Sequence, residues 1–175
     1  EYIMNQIGYA CINTHLSNSK PKVTTNRTMI KRTFTEKGLP YASELALQNC
    51  KDLLTILKWN KVNGINFFRM SSDLIPWASE YKLDDLPDHW DIVATLGECG
   101  KFADENGIRI TSHPGPFNVL TSPHEHVVEN CIKDLSIHGE VFDMMGLSRT
   151  PYNKINIHIG GAYGDKVSAM KRFCE

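Results

Sequence analysis

A chain of 175 residues with 41% hydrophobic content carries enough apolar material for one sizeable core, and its composition excludes a disordered or fibrous protein. Nineteen basic against twenty acidic residues leave a net charge of -1, which excludes a globally basic nucleic-acid binder and confines any such contact to a local patch. No stretch approaches the ~20 apolar residues that span a bilayer, and five scattered cysteines without C-x-x-C spacing exclude a zinc ribbon and a disulfide framework.

The first element in chain order is a short apolar strand over Ile7–Ile12, followed by a long loop rich in Thr, Asn and Lys. Lys20, Lys22, Arg27, Lys31 and Arg32 make that loop basic, with no carboxylate before Glu36; the cluster reads either as a DNA-facing patch or as a solvated loop. A helix is predicted from Ser43, as N-cap, through the Leu-rich run to Asn63-Gly64. The second strand is Ile65–Met70. Ser71-Ser72-Asp73 and a Pro/Trp segment lead from it into a helix over Asp88–Asn106. A third strand, Ile108–Thr111, leads to His113, and a helix with Pro123 in its first turn runs to Met145-Gly146. The fourth strand, Lys154–Ile159, passes through Gly160-Gly161 to a helix that the chain end cuts. Glu1 begins close to a strand, so both ends read as cut, and no basic-then-apolar leader is read before the first strand.

Helix, glycine, strand recurs at Gly64-Ile65 and Gly107-Ile108, and the strands are apolar runs rather than strict alternations. That pattern predicts an α/β fold with a parallel sheet covered by helices. Four βα units make about half of a (β/α)8 TIM barrel, for which about 250 residues is typical. The alternative, a complete four-strand open sheet, lacks the supporting Rossmann glycines or phosphate loop.

His113 and His158 fall at the ends of consecutive predicted strands, each before a Gly-containing turn. Strand ends of a parallel barrel converge on one mouth, and neutral imidazoles there suit zinc, manganese or iron. Two ligands are an incomplete site, since a catalytic zinc normally has three protein ligands. Arg69 with Ser71, Ser72 and Asp73 could grip a phosphate at the same mouth, or Arg69 and Asp73 could pair across the rim. Tyr9 and Asn13 end strand one; the ring could stack on a base or lie buried with its hydroxyl bonded. His124 and His126 read as surface residues, and Met144-Met145 as core.

Several segments together resemble the UV damage endonucleases: Ile7-Gly-Tyr-Ala-Cys-Ile-Asn13, Thr24-Thr-Asn-Arg-Thr28, Phe67-Phe-Arg-Met-Ser-Ser-Asp-Leu-Ile-Pro76, Ser112-His-Pro-Gly115 and His158-Ile-Gly-Gly-Ala-Tyr-Gly164. The resemblance covers nearly the whole chain. It implies that residues 1–175 are the N-terminal half of a distorted TIM-barrel domain that nicks DNA 5′ to UV photolesions. It also implies two or three divalent ions, manganese or zinc, per complete site, with hydrolysis assisted by those metals. His113 and His158 match histidine ligands. Tyr9, Asn13, Asn26, Arg27, Arg69, Ser71 and Tyr163 lie in segments that match the DNA side of the site, and Pro116-Phe117 matches the lesion-probing wedge. Two departures stand out. The wedge is Gln-Tyr in many members, and Glu80 stands where many carry a histidine near the site. The bridging glutamate, later Asp and His ligands and a modified lysine belong to strands after residue 175, so this fragment is expected to be inactive alone. The expected partner is UV-damaged duplex DNA, with no membrane and no obligate protein partner, in a cytoplasmic or nuclear compartment that keeps the thiols reduced. The alternatives are a sugar isomerase or epimerase of the same barrel superfamily and an inactive DNA-damage binding module.

Overall fold

A computed structural model describes residues 6–175. Three parallel strands, β1 (Gly8–Ala10), β2 (Phe67–Met70) and β3 (Arg109–Ser112), lie side by side in chain order. Their register pairs Gly8 with Phe67 and Phe67 with Arg109. The helices are α1 (Thr14–Ser17), α2 (Lys31–Val62), α3 (His89–Glu105), α4 (Glu125–Met144) and α5 (Lys166–Cys174). Short 3-10 turns at Ala78–Glu80 and Leu83–Asp85 connect β2 to α3.

The helix–glycine–strand repeat has a common backbone cause. Gly64, Gly107 and Gly146 all hold positive φ, at 69°, 63° and 67°, where a side chain is strained. Each closes the same helix-ending motif. The glycine N–H donates to Lys61, Asp104 or Asp143, and the next residue's N–H reaches Asn60, Ala103 or Phe142. The chain then leaves each helix at a fixed angle. After α2 and α3 it runs straight into β2 and β3.

Four sequence expectations change. The predicted first strand shortens to three residues because Cys11 turns at φ 62°. The first long helix begins at Lys31, not Ser43, with one non-helical residue at Gly38 and Pro40 just beyond it. Ser43 caps nothing on its own helix: its hydroxyl donates to Asp88 Oδ2 (2.7 Å) and accepts from the Asp88 N–H (2.9 Å), docking the start of α3 on α2. Pro123 precedes the helix, with His124 as N-cap of α4. The predicted strand Lys154–Ile159 is reduced to one bridge, Ser112 to Ile155. Its two rungs are Ser112 N–H to Lys154 O (3.1 Å) and Asn156 N–H to Ser112 O (2.9 Å). The next rung would need an N–H at residue 114, and Pro114 has none.

The core forms between the sheet and two helices. Ala42, Ala46, Cys50, Leu53, Ile56 and Leu57 of α2 are fully buried, together with Leu96 and Cys99 of α3 and Phe68 and Ile110 of the sheet. The apolar stripe of α2 repeats at three and four residues, as burial of one helix face requires. All five cysteines are free thiols. Among the described residues no helix is long and apolar enough to cross a membrane.

Gly100 marks the tightest approach of α3 to the end of α4. A methyl group placed there would lie 1.7 Å from the Met145 carbonyl oxygen, whereas one at Gly139 in α4 meets nothing within 4 Å. Gly100→Ala is therefore expected to lower stability to urea by about 2–3 kcal/mol through overpacking. Gly139→Ala should raise it by about 0.5–1 kcal/mol. A Gly100→Ala protein as stable as the parent would contradict this packing.

Candidate active site

Parallel strands carry their C-terminal ends to one side of the sheet, so the segments after β1, β2 and β3 and the segment after Ile155 share a mouth. The two histidines predicted at strand ends meet there, His158 on the segment reduced to one bridge: the rings of His113 and His158 lie 4.7 Å apart between centroids, inclined at 64°. His113 Nδ1 is 2.9 Å from the Pro114 carbonyl, an acceptor only, so Nδ1 carries the proton. In the neutral ring the Nε2 lone pair is then free. His113 is half-buried and His158 exposed. Two imidazoles this close fit part of a divalent-metal site. Among the described residues no three His, Cys, Asp or Glu side chains come together to enclose an ion.

Tyr9 and Asn13 are bonded to one another. Asn13 Nδ2 donates to the Tyr9 hydroxyl (2.8 Å), which donates to Asn60 Oδ1 of α2 (2.6 Å). The Tyr9 ring packs edge-on against Phe68 with centroids 5.1 Å apart. Burial pushes the phenol above its usual range, against the opposing hydrogen bonds of Asn13 and Asn60. Asn13 Oδ1 also caps α1 through the Leu16 N–H (2.9 Å). The buried amide of Asn60 completes this rim from the last turn of α2; the sequence signal for it was an Asn on an otherwise apolar helix face.

Arg69 and Asp73 form no ion pair, and the Arg69 Nε is buried without a hydrogen-bond partner. Ser71 is buried, and its hydroxyl accepts from the Asp73 N–H (3.2 Å). The basic loop is pinned to α2. Arg27 Nη1 meets Asp52 Oδ2 at 2.7 Å and donates to the Thr24 carbonyl, while Nη2 donates to the Lys22 carbonyl. Asp52 Oδ2 also accepts from the Thr24 N–H at 2.7 Å. Asn49 bonds the Arg27 backbone in both directions at 3.0 Å. Asn26 Oδ1 accepts from the Thr24 hydroxyl. Arg27 is thus taken up inside the fold, and Asp52 and Asn49, which the sequence did not single out, explain the position of the Thr-Asn-Arg segment.

Beyond the histidines a groove of about 810 Å³ runs past Ser72, Asp73, Glu80, Pro116, Phe117 and Asn118. Phe117 is 86% exposed on its rim, and Tyr163 is 47% exposed in the turn before α5. A smaller cavity of about 220 Å³ adjoins the groove, bordered by Ser71, Asp73, Ser112, Asp134 and His138. His138 and Asp134 had no sequence signal, because α4 reads as an ordinary amphipathic helix. Burial pushes the His138 imidazole below its usual range, against the pull of Asp134 and Asp73.

The family model described as UV-endonuclease UvdE matches residues 5–175. A UV-damage endonuclease of Neurospora crassa is 34% identical over 96% of this chain and 30% of its own length. Its counterpart in Schizosaccharomyces pombe is 38% identical over 96% of this chain and 28% of its length. A UV DNA damage endonuclease of Bacillus mycoides is 32% identical over 97% and 53%, respectively. The chain spans about half the length of this last relative and under a third of the two fungal ones. A crystal structure titled that of SacUVDE aligns with a TM-score of 0.80 at 33% identity, over 96% of this chain and 54% of that one. The three strands and the bridged fourth segment are accordingly the opening units of a TIM-barrel-type fold.

Two outcomes are expected. Asp52→Ala leaves Arg27 without its carboxylate and the Thr24 N–H without an acceptor, so urea unfolding should show a loss of about 2–4 kcal/mol; a smaller loss than 1 kcal/mol would make the pair incidental. For His138 the folded state disfavours the proton, so below the ordinary pKa of 6.5 the unfolded chain binds more protons. The residue's contribution is complete above that pH and is lost as pH falls toward the folded-state value. The urea midpoint should therefore drop more between pH 7 and pH 5 in the parent than in His138→Gln; parallel curves would exclude this residue as the cause.

Proposed function

Because the chain belongs to the UV-endonuclease UvdE family, we propose that the full-length protein nicks DNA beside UV photolesions, on their 5′ side, by metal-assisted hydrolysis. The observation that carries the metal part is the approach of the His113 and His158 rings to 4.7 Å, one after the end of β3 and the other after the segment bridged to it.

His113 and His158 are the residues of this chain that would hold a divalent ion, manganese or zinc. Such an ion, when bound, supplies Lewis-acid stabilisation of the phosphodiester and lowers the pKa of a water molecule. His113 is fixed for that task by its Nδ1 bond to Pro114, which keeps the ring oriented and Nε2 available. The remaining ligands belong to the part of the protein beyond this half, where the family pattern places carboxylates and further histidines. Glu80 lines the groove, and we assign it a place near the metal-bearing wall.

DNA is held by the mouth and the groove. The unpartnered Nε of Arg69 suits a phosphate oxygen, which a guanidinium binds with a charge-assisted hydrogen bond. Phe117 offers an exposed aromatic face to enter a distorted stack, as apolar wedges do in bent duplexes. Tyr163, 47% exposed in the turn before α5, offers a second aromatic surface. Tyr9, Asn13, Asn26 and Arg27 act by shaping the mouth, since each is engaged within the fold. The exposed Lys20, Lys22 and Lys31 supply backbone attraction, so binding should weaken with salt.

The full-length protein should nick UV-irradiated supercoiled plasmid in the presence of Mn²⁺, and His158→Ala should reduce that nicking by at least about 100-fold. Even partners outside the ligand sphere of a metal-bound imidazole cost about 10–100-fold. Equal nicking by the variant removes the metal assignment, and no nicking by the parent removes the activity.

A further inference from the structure

The turn that carries Phe117 is held from several directions, although Phe117 itself touches almost nothing. Pro116 and Phe117 are its central residues, closed by the Asn118 N–H to the Gly115 carbonyl at 3.2 Å. Proline at the first central position presets the backbone for such a turn. Behind it, α4 grips both flanks. Cys131 Sγ accepts from the Val119 N–H at 3.1 Å and approaches the Phe117 carbonyl at 3.8 Å. Asn118 Nδ2 donates to Asp134 Oδ2 at 2.7 Å. Asn118 and Cys131 are only 7% and 3% exposed, against 86% for Phe117.

Asp134 does not end this chain of contacts. One helical turn later His138 places Nε2 3.8 Å from the same Asp134 oxygen, and its Nδ1 lies 3.1 Å from the hydroxyl of Ser112. Ser112 immediately precedes His113. We infer that Asp134 is a positioning residue: through Asn118 it holds the Phe117 turn open and rigid, on a helix whose His138 also meets Ser112 at the end of β3. The inference rests on the reading of Phe117 as a DNA wedge. A wedge already ordered in the free protein loses less conformational freedom on binding, so the clamp acts on recognition of the lesion rather than on hydrolysis.

The test uses the full-length protein labelled with 4-fluorophenylalanine, with the Phe117 resonance assigned by its loss in Phe117→Leu. Asp134→Ala and Asn118→Ala should each narrow and shift that resonance and raise KM for UV-irradiated duplex about tenfold. Their kcat should stay within about twofold of the parent, and Mn²⁺ binding measured by calorimetry should be unchanged. Asp134→Asn keeps an oxygen for the Asn118 amide and should restore both the spectrum and KM. An unaltered Phe117 resonance in Asp134→Ala overturns the clamp. So does failure of Asp134→Asn to rescue, or a fall in kcat and Mn²⁺ binding at constant KM, which would mark a merely structural role for the β3 end. If the parent does not nick irradiated DNA, the wedge reading fails, and the clamp then stands or falls on the fluorine spectra alone.

Discussion

Everything at the mouth depends on how the chain leaves its helices. At Asn63-Gly64 and Asn106-Gly107 the same pair of backbone hydrogen bonds closes the helix, and the glycine takes the positive φ that the closure demands. Ile65 and Ile108 are thereby delivered in the same relation to the preceding helix. Parallel strands follow from that repetition, and with them the alignment of Asn13, Ser71 and His113 on one side. An alanine at Gly64 or Gly107 meets no atom within 4 Å, so the need for glycine lies in the torsion angle and not in space. The constraint is a local one with a consequence across the whole sheet.

A second layer of control is polar and buried. The loop between α1 and α2 has little apolar material to fix it, yet Thr24 and Thr25 are buried. Asp52 and Asn49 hold that loop by meeting its backbone N–H groups and the Arg27 guanidinium together. Breaking such a network costs more than one average hydrogen bond, because every buried partner is then left unpaired. The same logic applies to Tyr9, Asn13 and Asn60, whose mutual bonds keep the rim of β1 in register with the end of α2. Residues that resemble direct contacts to DNA can therefore matter by shape alone.

The sequence was most legible where a local signal suffices. Gly64, Gly107 and Gly146 mark helix ends because only the backbone at those positions decides the outcome, and His113 and His158 stand out as polar residues closing apolar runs. It was least legible where a partner far along the chain decides. Ser43 carries the composition of an N-cap, but its hydroxyl is claimed by Asp88, forty-five positions later. The helix upstream of it was hidden by Gly38 and Pro40, two residues that ordinarily end helices and here occupy a single break. His138 and Asp134 sit at helical spacing within α4 and look like any solvated i, i+4 pair. Only the fold reveals that they face a cavity and the end of β3. Lys154–Ile159 has the apolar pattern of a full strand, but Pro114 on its neighbour withholds the N–H that would extend the pairing.

That shortened pairing makes Ser112 the hinge of the site. Its N–H and carbonyl form both rungs that hold the His158 segment, and its hydroxyl meets His138. The next residue is His113. The 4.7 Å approach of the two imidazoles thus runs through one residue that is 1% exposed and bonded in three directions. A longer ladder would spread that load over several rungs and make His158 indifferent to any one of them. Here a change in the seating of Ser112 moves both histidines relative to α4. The Phe117 turn is anchored to the same helix, so the His113–His158 pair and the Phe117 turn share a mechanical reference in α4. For the proposed nicking of a distorted duplex, such a common reference keeps the proposed probe and the proposed metal site in one frame.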